Sequence, residues 1–336
     1  MFDPPQPPLK KGGEERVRYL NMAKKVFITG ASGCVGHYLV ESLLHQTDYE
    51  LYLLVRNRAK LKTDLSVRSG VTVIEDNMSN IGAYKSLLAT MNYVVSTAAC
   101  WGGTEEVFQT NVHKTHELFD ALDPEVCDRA IYFSTASILD SHNQLLKEAG
   151  TIGTDYIRSK YDCLEYLENS PISKRLITVF PTLVFGGAAD KPYSHISAGL
   201  KDIVKYVKYI RFVKGEGSFH FIHGSDIAQI ITYLLTADQP KFCEHLPTRL
   251  VMGMPKSTVN GAIAEVCELY QKRIGWQIDL SPTLINLIIK LFKIEVAEWD
   301  LFNVKLRHLT YDVVTPETFG LTSKYPRITN LFAEVK

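Results

Sequence analysis

Long apolar runs are absent from the sequence. No stretch reaches the roughly 18 apolar residues that a membrane-crossing helix needs, so no membrane span is expected. The first residues also lack the apolar core of a secretory signal. An excess of either charge is missing too. Lys+Arg and Asp+Glu both number 37, which gives no support to nucleic acid or an anionic membrane as the main partner. Cysteine is scarce and scattered: six residues, at positions 34, 100, 127, 163, 243 and 267, with no C-x-x-C pair. Reduced thiols in a cytoplasmic protein are therefore expected, rather than a disulfide framework. Clustered metal ligands are lacking as well. His113 and His116 stand at i and i+3, but no neighbouring carboxylate or cysteine offers a third ligand, so no metal is expected. No internal repeat is visible.

What is present is strand–helix alternation. Val26–Ile28, Glu50–Val55, Val71–Ile74, Tyr93–Ser96, Ala130–Phe133 and Leu176–Phe180 read as buried strands, with helical patterns between them. These include His37–His45, Val112–Leu122 and Tyr156–Leu167. Such alternation predicts an α/β fold, a Rossmann-type doubly wound parallel sheet. From Gly186 the rhythm loosens. Helices are expected at Ser194–Lys208, at Ile227–Leu235 with Ser225 or Asp226 as its cap, from Ser257 to about Tyr270, and at Thr283–Phe292. Strands are expected at Phe219–Ile222 and, returning to the sheet, at Leu246–Met252. The expected organisation is a disordered Pro-rich tail over residues 1–21, a dinucleotide domain over 22–185 with the return strand near 246–252, and a smaller, mostly helical substrate domain over 186–336. Met22, just before the first strand, reads as an alternative start of translation.

Two motifs carry chemistry. The first is Gly30-x-x-Gly33-x-x-Gly36, between the first strand and the first helix. Glycines there let the backbone approach a diphosphate, and the helix N-terminus offers N–H groups and partial positive charge. Gly30, Ser32, Gly33, Cys34, Val35 and Gly36 are the candidate contacts. The second is Tyr156-x-x-x-Lys160, which puts a phenol and an ammonium on one helix face. A phenol titrates near 10, and a nearby Lys⁺ favours its ionised form. Tyr156 is then the candidate acid/base, with Lys160 also in reach of a cofactor ribose. Thr135, at the end of the preceding strand, is the candidate for holding a substrate oxygen, with Ser134 and Ser137 as competitors.

These residues resemble the extended short-chain dehydrogenase/reductase family, the group of NAD-dependent nucleotide-sugar epimerases, dehydratases and related reductases. Thr29–Gly36 is similar to its TGxxGxxG. Asp76, with Asn77 beside it, falls where the family contacts adenine, and Ala98-Ala99 falls on its cofactor-side motif after the fourth strand. Asn111-Val112-x-x-Thr115 resembles NVxGT, and Ser134–Leu139 resembles the segment that precedes the catalytic Tyr/Lys pair. Pro181–Gly186 resembles RPxxVYG, which implies that Pro181, Leu183 and Val184 help hold the nicotinamide; Phe221–Ala228 resembles F-x-H-V-x-D-x-A. The resemblance covers about residues 24–270. It implies an oxidoreductase or epimerase that moves hydride between NAD(P) and a hydroxyl or carbonyl carbon of a small molecule, a nucleotide sugar among the candidates. A homodimer is a candidate assembly.

Departures narrow this. Phe180, Asp140 and Lys114 replace the usual Arg, Gly and Gly. Ala136-Ser137 stands where sugar 4,6-dehydratases carry Asp-Glu, which ranks dehydration below epimerisation or simple carbonyl reduction. A catalytically silent dinucleotide sensor or assembly factor is the competing reading from another class. The second strand ends Val55-Arg56-Asn57-Arg58, with no carboxylate at the tip. An NAD binder usually has one there, so NADP is expected over NAD, with Arg56 on the 2′-phosphate. Trp101, after the fourth strand, is a candidate substrate-site residue, whereas Glu105-Glu106 read as a helix start.

Overall fold

The computed structural model describes residues 23–281, 283–284 and 297–333. The expected tail, Met22 and most of the helix expected at Thr283–Phe292 lie outside them.

Seven parallel strands form one sheet. They are β1 (Lys25–Thr29), β2 (Glu50–Val55), β3 (Val71–Glu75), β4 (Tyr93–Ser96), β5 (Arg129–Phe133), β6 (Leu176–Pro181) and a late strand, Thr248–Met252, in the order β3-β2-β1-β4-β5-β6-late. Order reverses between β1 and β4, which opens a ligand crevice at the carboxyl ends of these two strands. The return strand begins at Thr248 rather than Leu246 and pairs with β6, Leu250 opposite Val179.

Alternation explains the layers. Val26 and Ile28 point to one face of β1 and Phe27 to the other, and all three are fully buried. On the first face pack Leu39, Val40 and Leu43 of helix α1 (Cys34–Gln46) and Ile230, Ile231 and Leu234 of Gly224–Thr236. On the second pack Cys163, Leu164 and Leu167 of Asp155–Glu168, with Leu118 and Phe119. Each such Leu stabilises the fold by about 1.5–3 kcal/mol through burial. The helix expected at Val112–Leu122 differs. It starts at Thr104 and contains a π-helical turn, Gln109–His113, before Lys114–Asp120.

Beyond Gly186 a third apolar cluster gathers Phe185, Leu200, Val207, Phe221, Val266 and Leu331. Helices His195–Ile210 and Val259–Leu269 belong to it. The strand expected at Phe219–Ile222 is broken at His220. Ser218–Phe219 pairs antiparallel with Ser257–Thr258, and Phe221–His223 runs parallel to Leu183–Phe185. His220 is held between Met254 O (2.8 Å from Nδ1) and the Tyr311 N–H (3.3 Å from Nε2). The cap of Gly224–Thr236 is His223, whose Nδ1 accepts from Ser225 N–H at 3.2 Å. It is neither Ser225 nor Asp226, because both are already helical. Asp226 turns inward instead and accepts from Ser323 Oγ at 2.6 Å and Lys324 N–H at 3.3 Å.

Candidate active site

The glycine turn is built by close approach. Gly30 has φ +71°, and a Cβ there would lie 2.8 Å from the Ala98 nitrogen. A Cβ on Gly36 would lie 2.2 Å from Gly30 O. Glycine is thus required where β1 turns under β4. Thr29 Oγ accepts from Ala98 N–H at 3.2 Å, and Thr97 Oγ donates to Thr29 O at 2.7 Å, so Ala98 and Ala99 start from a fixed point beside the turn. Gly33 caps α1 without any side-chain acceptor. The first-turn N–H groups of Cys34, Val35 and Gly36 therefore suit an anion, and the small turn leaves room for a diphosphate. Ser32 is half-buried beside them. Burial pushes the Cys34 thiol up to about 12, so it is no nucleophile at neutral pH.

At the far side of the crevice stand Tyr156 and Lys160, both on Asp155–Glu168. The helix starts at Thr154, whose Oγ accepts from Ile157 N–H at 3.4 Å. Lys160 is buried, and its ammonium donates to Phe133 O at the end of β5, at 2.8 Å. It lies 4.9 Å from the Tyr132 ring centroid and 5.9 Å from that of Tyr156. Burial lowers its pKa to about 8. Burial raises the Tyr156 phenol above its ordinary value, which reverses the lowering expected from Lys160. Trp101 is one of the groups that cover the ring. Its indole lies flat on the phenol ring, 3.7 Å between centroids with planes 13° apart, while remaining 67 % exposed itself. Thr135 sits just past β5, half-buried, and caps a short turn by accepting from Ser137 N–H at 3.3 Å. Ser134 is buried and Ser137 exposed.

Other expected contacts have visible partners. Asn111 is fully buried in the π turn, where Oδ1 accepts from Cys100 N–H (2.8 Å) and Nδ2 donates to Cys100 O (2.9 Å) and Ser159 Oγ (3.0 Å). It joins the loop that bears Trp101 to the helix that bears Tyr156. Asp76, at the end of β3, accepts from Tyr84 OH at 2.7 Å, Asn77 N–H and Asn80 Nδ2; these bonds, that from Tyr84 foremost, hold its carboxyl below the usual range. Asn77 caps the next turn through Ser79 N–H. Arg56 is exposed at the end of β2. Sequence reasoning missed Glu75 beside it. The carboxylate accepts from Arg58 N–H at 3.0 Å, and only strand register, Val55 opposite Glu75, brings it there. Pro181 ends β6 and is buried, while Leu183 and Val184 form the short strand after it. His195, also missed, lies 6.3 Å from Trp101 with nearly parallel planes. His113 and His116 form no ligand set: the His116 ring stacks on Tyr166 at 3.7 Å, and Lys114 pairs with Glu117 at 2.7 Å.

A cavity of about 430 Å³ opens beyond the short strand Leu183–Phe185. Its walls come from residues 185–189, Tyr193, Ser197, Leu200, His223 and Leu331. Among the described residues no Lys or Arg lines it. The glycines at 186 and 187 have φ +145° and +130°, and a Cβ on Gly187 would lie 2.5 Å from Tyr193, so the cavity wall depends on their lack of a side chain.

Residues 26–244 match the profile of the NAD dependent epimerase/dehydratase family. No curated protein sequence matches the chain. Solved structures with the same fold include the Bordetella bronchiseptica enzyme WbmG in complex with NAD, at 16 % identity, TM-score 0.62 and 94 % coverage of each chain. The UDP-N-acetylglucosamine 4-epimerase of Methanobrevibacter ruminantium is similar at 15 % identity and TM-score 0.63, covering 93 % of this chain and 97 % of that one. The dTDP-glucose 4,6-dehydratase of Bacillus anthracis, in complex with NAD, is similar at 14 % identity and TM-score 0.62, with 93 % and 96 % covered. At such identities the likeness is one of fold. The profile match spans well over half of the sequence, and by it the chain belongs to the NAD-dependent epimerase/dehydratase family of enzymes.

Proposed function

We propose that this enzyme moves hydride between NAD(P) and a hydroxyl- or carbonyl-bearing carbon of a small molecule, with Tyr156 as acid/base. One observation carries the reading: a buried lysine one helical turn after a tyrosine, anchored to the end of β5 at 2.8 Å. The cofactor supplies or accepts the hydride. Tyr156 gives the proton to the substrate oxygen or takes it away. Lys160, fixed by Phe133 O, brings positive charge that favours the phenolate once a ligand changes the surroundings of the ring. The Thr135 hydroxyl holds the same substrate oxygen. Trp101 has to slide off Tyr156, or share its face, for a substrate to reach the phenol. The N-terminus of α1 would hold the cofactor diphosphate, with Gly36 leaving the space, and Arg56 would meet the ribose 2′ position.

Two substrate classes fit this chemistry. Several enzymes of the same fold act on nucleotide sugars, and the WbmG structure also exists with NAD and UDP. The cavity favours the other class. A diphosphate is held best by Arg and Lys, and among the described residues none lines the wall. An uncharged carbonyl or alcohol taken by the region after residue 186, and so simple carbonyl reduction, is the version we favour. The six free cysteines suit a reducing, cytoplasmic setting.

The test is Tyr156→Phe, which keeps the ring under Trp101 and removes the hydroxyl. Turnover of a panel of carbonyl compounds, read by reduced-nicotinamide absorbance, should fall by about 10²–10⁴-fold. Cofactor affinity should stay within about twofold, because the change leaves Lys160 and the glycine turn in place. Unchanged turnover would move the chemistry to another residue.

A further inference from the structure

The surface at the opposite end of helix His195–Ile210 from Trp101 combines features that the neutral total charge conceals. Helix His195–Ile210 ends in Tyr206, Tyr209 and then Phe212, all exposed. Across from them, Ile274, Trp276 and Ile278 are exposed too, Trp276 by 75 %. These six are close to half of the fourteen large hydrophobic side chains exposed among the described residues, and they lie in two short segments. The segments are stitched together. Val213–Lys214 pairs with Ile278–Asp279, Ile278 N–H donates to Phe212 O at 2.7 Å, and an Arg211 N–H reaches Arg273 O at 3.4 Å. Scattered exposed side chains are ordinary; a contiguous set marks a binding surface.

Charge is just as uneven. Lys208, Arg211, Lys214, Lys272 and Arg273 stand among these aromatic and aliphatic side chains. The single carboxylate of residues 204–214 and 271–280 is Asp279, 4.0 Å from Lys214. Lys208 lies 4.9 Å from the Tyr209 centroid and Arg211 4.4 Å from that of Phe212, so cations and rings are interleaved rather than separated.

We infer that this tip docks on the surface of a lipid bilayer that contains anionic phospholipid. Indole and phenol rings settle at the headgroup level, and Lys and Arg side chains reach the phosphates while their stems stay in the apolar layer. Two isoleucines and an exposed indole suit acyl chains. A nucleic acid would use stacking faces along a groove, and a branched aliphatic side chain offers none. Docking here is peripheral: among the described residues no helix is long and apolar enough to cross a membrane.

The experiment is cosedimentation of the full chain with vesicles, phosphatidylcholine alone or mixed with phosphatidylglycerol, at about 0.1 M salt, where the screening length is about 10 Å. Binding to the anionic vesicles should exceed binding to the neutral ones by at least about tenfold and fall several-fold in high salt. Trp276→Ala should weaken it several-fold, and Lys272→Glu with Arg273→Glu should abolish the preference for anionic lipid. All three side chains are exposed, so melting temperature serves as a control that the variants fold. Equal binding to both vesicle types, no binding to either, or variants that bind like the wild type would overturn the proposal. So would vesicle-independent results in which the same substitutions abolish self-association by light scattering, or binding of an oligonucleotide.

Discussion

Residues 25–181 and residues 186–333 are held together by different means. In the first region the ties are backbone bonds between long parallel strands, and candidate site residues stand at strand ends and on the helix Asp155–Glu168. Val26, Phe27 and Ile28 are fully buried, and their alternation fixes which helix packs on which face. In the second, apart from the return strand Thr248–Met252, the described strands are two or three residues long, and single side chains bridge great sequence distances. Asp226 bonds Ser323, Ser218 bonds His308 at 2.8 Å, and between the two regions Asn143 ties its loop to Asp312 O at 2.8 Å. A sheet is a periodic object with redundancy. A set of single ties is neither, and each tie matters alone.

The largest expected effect tests the first region at its most crowded point. Gly36→Ala would bring a Cβ within 2.8 Å of Ala31 Cα as well as 2.2 Å of Gly30 O, both rigid backbone. Overpacking costs about 1–3 kcal/mol where side chains can shift, and here they cannot. We expect a loss beyond about 3 kcal/mol in urea unfolding, with cofactor binding gone. Gly199→Ala is the counterpart in the second region. Its Cβ would meet nothing within 4 Å, and the helical position should gain about 0.5–1 kcal/mol. Equal tolerance of both changes would erase the contrast.

A smaller effect tests a single tie. Asp226→Ala removes the acceptor for Ser323 Oγ and Lys324 N–H in a fully buried place. Leaving such donors unsatisfied costs about 1–3 kcal/mol, more when the acceptor is charged. Its carboxyl is pushed up by burial and held down by Ser323, so part of that cost is offset by the removal of a desolvated charge. The expected loss is about 2 kcal/mol by denaturant unfolding, with affinity for the cofactor unchanged because the sheet is untouched. A variant that also loses cofactor affinity would show that the two regions are less separate than their contacts suggest.

The contrast also explains what could be read from the sequence. Glu50–Val55 and Tyr93–Ser96 were legible to the residue because buried parallel strands are uninterrupted apolar runs. Tyr156, Lys160 and Thr135 were legible because helix spacing and the end of a strand place them. Trp101 on Tyr156 was legible only as a neighbour of the site; its flat stacking depends on Asn111 holding the Cys100 backbone from another helix. The break at His220 and the cap at His223 were not legible. Both are set by partners far along the chain, Met254 and Tyr311 for the first, and by where the short strand Phe221–His223 stops for the second. The aromatic and cationic tip escaped too, since a total charge of zero averages it away.

The smallest effect concerns the edge of the first region, where reading by single strands reaches its limit. The second strand alone predicts NADP, because Arg56 is its only charged tip and an acid would repel a 2′-phosphate. Register adds Glu75 from the next strand, opposite Val55 and bonded to Arg58 N–H. Arg56 would attract a 2′-phosphate, and Glu75 would oppose it. Both groups are near the surface, so each acts through partly screened charge, and a charge-assisted contact there is worth about 1–2 kcal/mol. We expect NADP to bind more tightly than NAD by about tenfold, and Arg56→Ala to remove most of that gap without weakening NAD. Glu75→Gln should widen it by a smaller factor, provided Gln keeps the bond to Arg58 N–H. Dissociation constants for both cofactors, measured for the three proteins at two salt concentrations, decide the matter. If the wild type prefers NAD, or Arg56→Ala weakens both cofactors equally, then Glu75 holds the ribose and the cross-strand neighbour, not the strand's own tip, sets the cofactor.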